Sequence, residues 1–197
     1  MKLLNTSLLL LAVASTSALA NDNNLYIGVN YLSSDYELDL GLTGTSPQSS
    51  DTAKGFNINL GYLYALNDKF DLAFEASIND YGSADINNIG GTKADTDVSS
   101  VVVSVKPTYY FGDSGFSLTG VLGFGSYTTD ITFSSESSSL TAVGTESEFG
   151  ISYGIEAAYQ FTDTFGVVAG YQAAKIDYQD NVSLDLNTVS LGARFRF

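Results

Sequence analysis

The stretch Val189-Ser190-Leu191-Gly192-Ala193-Arg194-Phe195-Arg196-Phe197 decides the fold. Its odd positions carry Val, Leu, Ala, Phe and Phe, and its even positions carry Ser, Gly, Arg and Arg. A strict period of two puts one set on each side of a β-strand, whereas a helix would scatter both around its axis. The segment therefore reads as a strand with one continuous apolar face and one polar face.

The same alternation recurs upstream. Leu25, Ile27, Val29 and Tyr31 alternate with Tyr26, Gly28 and Asn30. Further predicted strands centre on Phe56 to Tyr64, Phe70 to Ile78, Val101 to Phe111, Phe116 to Phe124, Phe149 to Phe161 and Phe165 to Tyr171. With the last stretch this makes eight. Short turns at Asn67-Asp68, Gly112-Asp113-Ser114-Gly115 and Thr162-Asp163-Thr164 alternate with longer polar segments over 35–53, 80–97 and 129–145, and a shorter one over 177–185. Each short turn carries an Asp and is followed by a Phe that opens the next strand: Phe70, Phe116 or Phe165. Pro107 falls on an apolar face, where it cannot donate to a ladder, so a local bulge or a missing bond is expected there.

Residues 1–20 have the layout of a secretory signal: Lys2, a largely apolar run from Leu3 to Val13, and small residues at Ala18 and Ala20 for cleavage before Asn21. The run falls short of the roughly 20 apolar residues that a spanning helix needs. Beyond it no stretch is apolar for long enough to form a membrane helix. The whole chain has 197 residues, enough for one domain over 21–197, with 13 Tyr, 12 Phe, 19 Gly and no Cys or His. Its formal charge of −14 excludes nucleic acid as a partner, because phosphate contacts need clustered Lys and Arg.

Alternation alone also fits a soluble barrel with its apolar face turned inward. The composition of the polar face decides against that. A water-washed face should be dense in Lys, Glu and Asp; here it is mostly Gly, Ser, Ala, Asn and Thr, which suits a crowded lumen. The apolar face carries Phe70, Phe111, Phe116, Phe161, Phe165, Phe195 and Phe197 towards the short turns and Tyr31 towards the long segments, as an aromatic girdle would. The fold class expected is all-β: an eight-stranded antiparallel up-and-down transmembrane barrel.

Residues 21–197 resemble the small eight-stranded outer-membrane barrel family typified by the membrane domain of OmpA and by OmpX, often called porin-family or outer-membrane β-barrel domain proteins. The strand pattern and the ending Leu191, Ala193, Phe195 and Phe197 carry the resemblance. It implies that this ending is the signal read by the barrel assembly machinery of a Gram-negative cell. Nothing follows the last strand, so a peptidoglycan-binding domain of the OmpA kind is not expected.

Glu75, Lys106 and Glu156 fall on the polar face, and Arg194 and Arg196 fall on the same face near the chain end. Unpaired buried ions cost several kcal/mol each, so these groups should pair across the lumen. The resemblance implies the same polar interior. No cofactor is expected. Without His or Cys there is no Ser-His or Cys-His nucleophile pair, and outer-membrane acyl hydrolases and palmitoyl transferases of this barrel size rely on His. Acidic residues crowd the long segments, among them Asp35, Asp80, Asp97, Glu146 and Asp177. The expected partners are outer-membrane lipid and lipopolysaccharide, the assembly machinery during insertion and an unidentified surface ligand. The barrel is expected to be monomeric, with a structural or surface-contact role. A narrow pore is the alternative, and an enzyme ranks third. Replacing Phe197 by Ser should lower the amount of folded protein in the outer-membrane fraction; an unchanged amount would remove Phe197 from the assembly signal.

Overall fold

The computed structural model describes residues 24–39, 48–49, 52–89, 92–135, 138–177 and 183–197; the signal positions Ala18 and Ala20 lie outside them. The strands are β1 (Leu25–Asp39), a two-residue β2 (Gln48–Ser49), β3 (Ala53–Asn67), β4 (Phe70–Ile89), β5 (Thr92–Tyr110), β6 (Phe116–Ser135), β7 (Ser138–Gln160), β8 (Phe165–Asp177) and β9 (Ser183–Arg196). Eight long strands form the wall. Each pairs antiparallel with its neighbour in sequence, and β1 pairs with β9 from Tyr26↔Arg196 to Asp39↔Ser183, which closes the barrel. β2 adds only two pairs to β1, at Glu37 and Leu38. Closure satisfies the backbone groups of both sheet edges, which hydrocarbon would leave without partners.

The outer face is apolar in a band and polar above it. On β5 the outward residues Val105, Val103 and Val101 give way to Ser99 and Asp97. On β1, Val29 and Tyr31 give way to Ser33, Asp35 and Glu37; on β9, Leu191 and Val189 give way to Asn187 and Asp185. Within the band large apolar side chains stand open, with Leu191 63% and Leu122 60% exposed. A continuous apolar belt of this extent is incompatible with water and fits lipid. At its turn end, Phe195 stacks edge-on against Phe197 with centroids 5.1 Å apart, and Tyr159 meets Phe161 in the same way at 4.8 Å. Tyr31, Phe56, Phe124 and Phe149, all exposed, mark the other rim.

The segments over 80–97 and 129–145, read from sequence as polar loops, are instead strand over most of their length. β1 likewise continues to Asp39. The alternation does not stop at the rim; its sense changes. Above the rim the outside meets water and carries Ser, Asp and Glu, while the inward positions Leu32, Tyr36, Ala84, Val98, Ile176, Leu184 and Leu186 are apolar and buried. A strand pattern scored for an apolar outside fails where the solvent outside changes.

A bulge on β4 sits at this crossing. Asp80 pairs with Ser99 and Gly82 with Val98, so Tyr81 is the extra residue and turns inward. Gly82 holds a φ of 79°, a conformation L side chains rarely adopt, and a Cβ there would lie 2.1 Å from the Lys54 carbonyl oxygen. The Gly82 N–H donates to Asp80 Oδ1 at 2.9 Å, and the Tyr36 hydroxyl donates to the Gly82 carbonyl at 2.6 Å. Pro107 produces no bulge: β5 and β6 pair at Val105↔Leu122, skip two positions and resume at Thr108↔Thr119 in unchanged register. Gly82→Val should cost at least about 1–3 kcal/mol of local strain, read as a lower urea midpoint of the refolded barrel in lipid vesicles. An unchanged midpoint would show that the bulge is not fixed by Gly82.

Candidate functional site: a two-level lumen

The lower level is a closed ring of polar contacts from five strands. The Tyr26 hydroxyl donates to Glu75 Oε2 at 2.8 Å. Lys106 Nζ lies 2.7 Å from Glu75 Oε1 and 2.6 Å from Glu156 Oε1. Arg194 Nη2 donates to Glu156 Oε2 at 3.0 Å, and its guanidinium lies 4.5 Å from the centroid of the Tyr26 ring. Two carboxylates and two cations thus neutralise each other around one circuit. All four charged side chains are at most 15% exposed. Gly61 makes room for the circuit: a Cβ there would lie 2.2 Å from Tyr26 Cζ.

Arg196 is not in the ring. Its Nη2 donates to the Tyr110 hydroxyl at 3.1 Å, and its guanidinium stands 5.8 Å from that ring's centroid. Arg194 and Arg196 share a face of β9, but they reach different partners one step apart along the barrel. Tyr26, which the sequence reading placed on the polar face and assigned no role, completes the circuit. The available signal was a lone Tyr among small residues, opposite a glycine on the neighbouring strand (Tyr26↔Gly61).

Above the ring, amides run around the wall. Asn30 Nδ2 donates to Asn57 Oδ1 at 2.6 Å, Asn57 Nδ2 to Asn79 Oδ1 at 2.7 Å, and Asn79 Nδ2 to Ser100 Oγ at 2.9 Å. A cavity of about 40 Å³ reaches from Glu75, Lys106 and Glu156 of the ring, past Asn59, Asn79 and Ser104, to Leu32, Tyr81 and Leu186. Asn59 Oδ1 is buried and accepts no hydrogen bond among the described residues. Since one water needs roughly 10–15 Å³ of such space and two to four polar partners, the cavity suits a few waters.

The upper level is mainly apolar, with the buried hydroxyls of Ser34, Thr96 and Thr188 interleaved. Leu32, Tyr81, Val98, Val102, Ile176 and Leu186 belong to one buried cluster, with Tyr36, Ala53, Ala84, Tyr127, Ala174 and Leu184 packed among them. Seven of the eight wall strands contribute. The eighth, β7, contributes Gly150, where a Cβ would lie 3.0 Å from the Tyr127 ring. The rings of Tyr81 and Tyr127 stack with centroids 6.4 Å apart.

The terminal positions Leu191, Ala193, Phe195 and Phe197 all sit on the outer wall, and the Phe197 N–H donates to the Leu25 carbonyl at 2.9 Å. With a closed eight-stranded wall, an apolar belt and a polar ring inside it, the architecture is that of a membrane barrel. The family model of the outer membrane protein β-barrel domain matches residues 6–197. The chain belongs to this family. No curated protein matches the sequence.

Among solved structures, Ail, the attachment invasion locus protein of Yersinia pestis, aligns with this outer-membrane barrel at a TM-score of 0.57 and 21% identity, over 88% of this chain and 99% of Ail. A second Ail structure, 20% identical, holds the heparin analogue sucrose octasulfate. Neisserial surface protein A aligns at 0.56 and 16% identity, over 88% of this chain and 97% of its own. OprG, an outer membrane protein of Pseudomonas aeruginosa, aligns at 0.52 and 15% identity, over 88% and 96%. At these identities the likeness is one of fold. The ring makes a contrast testable in this outer-membrane barrel. Lys106→Met leaves buried Glu75 without a cation and Glu156 with Arg194 alone, and should cost about 3–5 kcal/mol, whereas Arg196→Met removes a tyrosine contact and should cost about 1 kcal/mol. Urea unfolding in lipid vesicles reads both, and equal costs would mean that the ring is not a unit.

Proposed function

We propose that this outer-membrane barrel serves a structural and surface-contact role, with its lumen closed rather than open to solutes. The observation that carries this reading is that, among the described residues, both levels of the lumen are filled with side chains around a small cavity. Eight strands enclose little more than their own side chains, and here those side chains are mutually bonded.

In this reading residues 1–20 direct export and are removed by one cut before Asn21, with Ala18 and Ala20 the small residues read by the peptidase. The strand ending in Leu191, Ala193, Phe195 and Phe197 is read by the assembly machinery, and the folded barrel sits as a monomer in lipid and lipopolysaccharide. Glu75, Lys106, Glu156 and Arg194 hold the lumen together, and Arg196 anchors the end of β9. No enzymatic step is assigned to any of them. The outer surface above the apolar band carries Asp35, Glu37, Asp97, Glu146 and Asp177, all exposed, against exposed Lys54 and Lys175. Surface contact by this chain therefore favours a cationic partner, and a sulfated polyanion of the kind seen with Ail is disfavoured.

The alternative of a narrow pore is favoured by the cavity and by the acidic outer mouth. Ion conductance of purified, refolded protein in a planar lipid bilayer separates the two. Silence from protein shown to be folded by its heat-dependent gel migration is expected, and stable discrete steps would overturn the closed reading.

A further inference from the structure

From the order of the two levels, we infer that the seal of the lumen is the apolar upper level, and that the ion ring beneath it is a wetted structural brace. This inference rests on the closed reading above and says which part closes it.

The cavity borders the ring directly, since Glu75, Lys106 and Glu156 are among its walls, and Asn59, which also lines it, has an Oδ1 without a hydrogen bond among the described residues. Polar space of that size holds water. A ring of ion pairs beside water exchanges partners for water at each contact, so it slows ions without excluding them. The same cavity ends upward against Leu32, Tyr81, Ala174 and Leu186, where its walls turn apolar. Leu32, Val102, Ile176 and Leu186 meet the rings of Tyr81 and Tyr127 across the barrel axis, and each is at most 4% exposed. The polar groups buried at this height are hydroxyls, such as Ser34 and Thr188 bonded to each other at 3.0 Å and Ser100 donating to the Tyr81 hydroxyl at 3.3 Å. Among the described residues this level holds no charged group, so an ion crossing it would lose its hydration without a counter-charge in exchange.

Two built features hold this stopper in place. The bulge at Tyr81 adds an inward ring to β4 and shifts the alternation by one residue, so that Ser83 faces out and Ala84 faces in beyond it. Gly150 on β7 leaves the space that the Tyr127 ring fills. The position of the stopper also matters. It begins at the outer rim of the apolar band, next to outward Tyr31 and Val101, so the lumen is closed where the barrel leaves the lipid, and the polar chamber lies inside the membrane span.

The chain contains no Cys, so one introduced thiol reports cleanly on access. Ser104→Cys places it in the cavity wall, and a small membrane-impermeant thiol reagent is applied from the extracellular side of the refolded protein in vesicles. Three backgrounds are compared: the otherwise unaltered barrel, a ring variant carrying Glu75→Gln, Lys106→Gln and Glu156→Gln, and a stopper variant carrying Val102→Ser and Leu186→Ser. Planar-bilayer conductance is recorded on all three.

The expected result is slow labelling and no conductance for the unaltered and ring-variant barrels. In the stopper variant labelling should be faster by about an order of magnitude or more, with conductance steps appearing. Conductance in the ring variant, with a silent, slowly labelled stopper variant, overturns the inference and makes the ring the seal. Conductance in the unaltered barrel overturns the closed reading itself, which is a separate outcome. If the stopper variant does not fold, Leu186→Ala alone is tested in the same way. If that also fails to fold, the other two backgrounds decide: slow labelling of the unaltered barrel with a silent ring variant supports an upper seal, and fast labelling of the unaltered barrel or conductance in the ring variant contradicts it.

Discussion

Inside hydrocarbon, a backbone N–H or C=O has no partner except another part of the chain. For a chain built from strands this admits one solution, a sheet closed on itself. The β1–β9 pairing, which runs from Tyr26↔Arg196 to Asp39↔Ser183, is therefore the contact on which the rest of the structure depends. Closure fixes which residues face in and which face out. The interior ring, the cavity and the upper core follow from what eight closed strands bring together.

The second constraint is that each strand passes through two outer solvents. In lipid the outside must be apolar, so the inside is free to be polar, and the ring of Tyr26, Glu75, Lys106, Glu156 and Arg194 occupies it. Above the lipid the outside must be polar, and the barrel can then hold itself together only as a soluble barrel does, by burying apolar side chains within. Leu32, Val98, Ile176 and Leu186 form that core. One wall thus encloses two interiors of opposite character, and the change between them coincides with the rim and with the bulge at Tyr81.

The strand pattern in lipid was legible because it never varies: the ending from Val189 to Phe197 and its upstream counterparts state the fold in a period of two. The strand extensions were not legible as strands, because Ser33, Asp35 and Glu37 outward with Tyr36 inward look polar when scored against an apolar outside. The bulge hid Tyr81 further, since it places two successive inward residues, Tyr81 and Gly82, in a strand otherwise read by strict alternation. The charged lumen positions could be read from their face. Which of them meet could not: Arg194 and Arg196 stand on one face two residues apart, and only the height of Glu156 and Tyr110 on other strands separates their partners.

The central claim is that the outer solvent changes from lipid to water at one level of the wall while the strands continue. Single spin labels at the outward β5 positions Asp97, Ser99, Val101, Val103 and Val105, in the refolded barrel in vesicles, test it most directly. The account predicts that labels at Val101, Val103 and Val105 relax with lipid-soluble oxygen, and that those at Ser99 and Asp97 relax with a water-soluble nickel chelate while keeping strand-like immobility. Lipid access continuing through Asp97, or a freely tumbling label at Ser99, would contradict it.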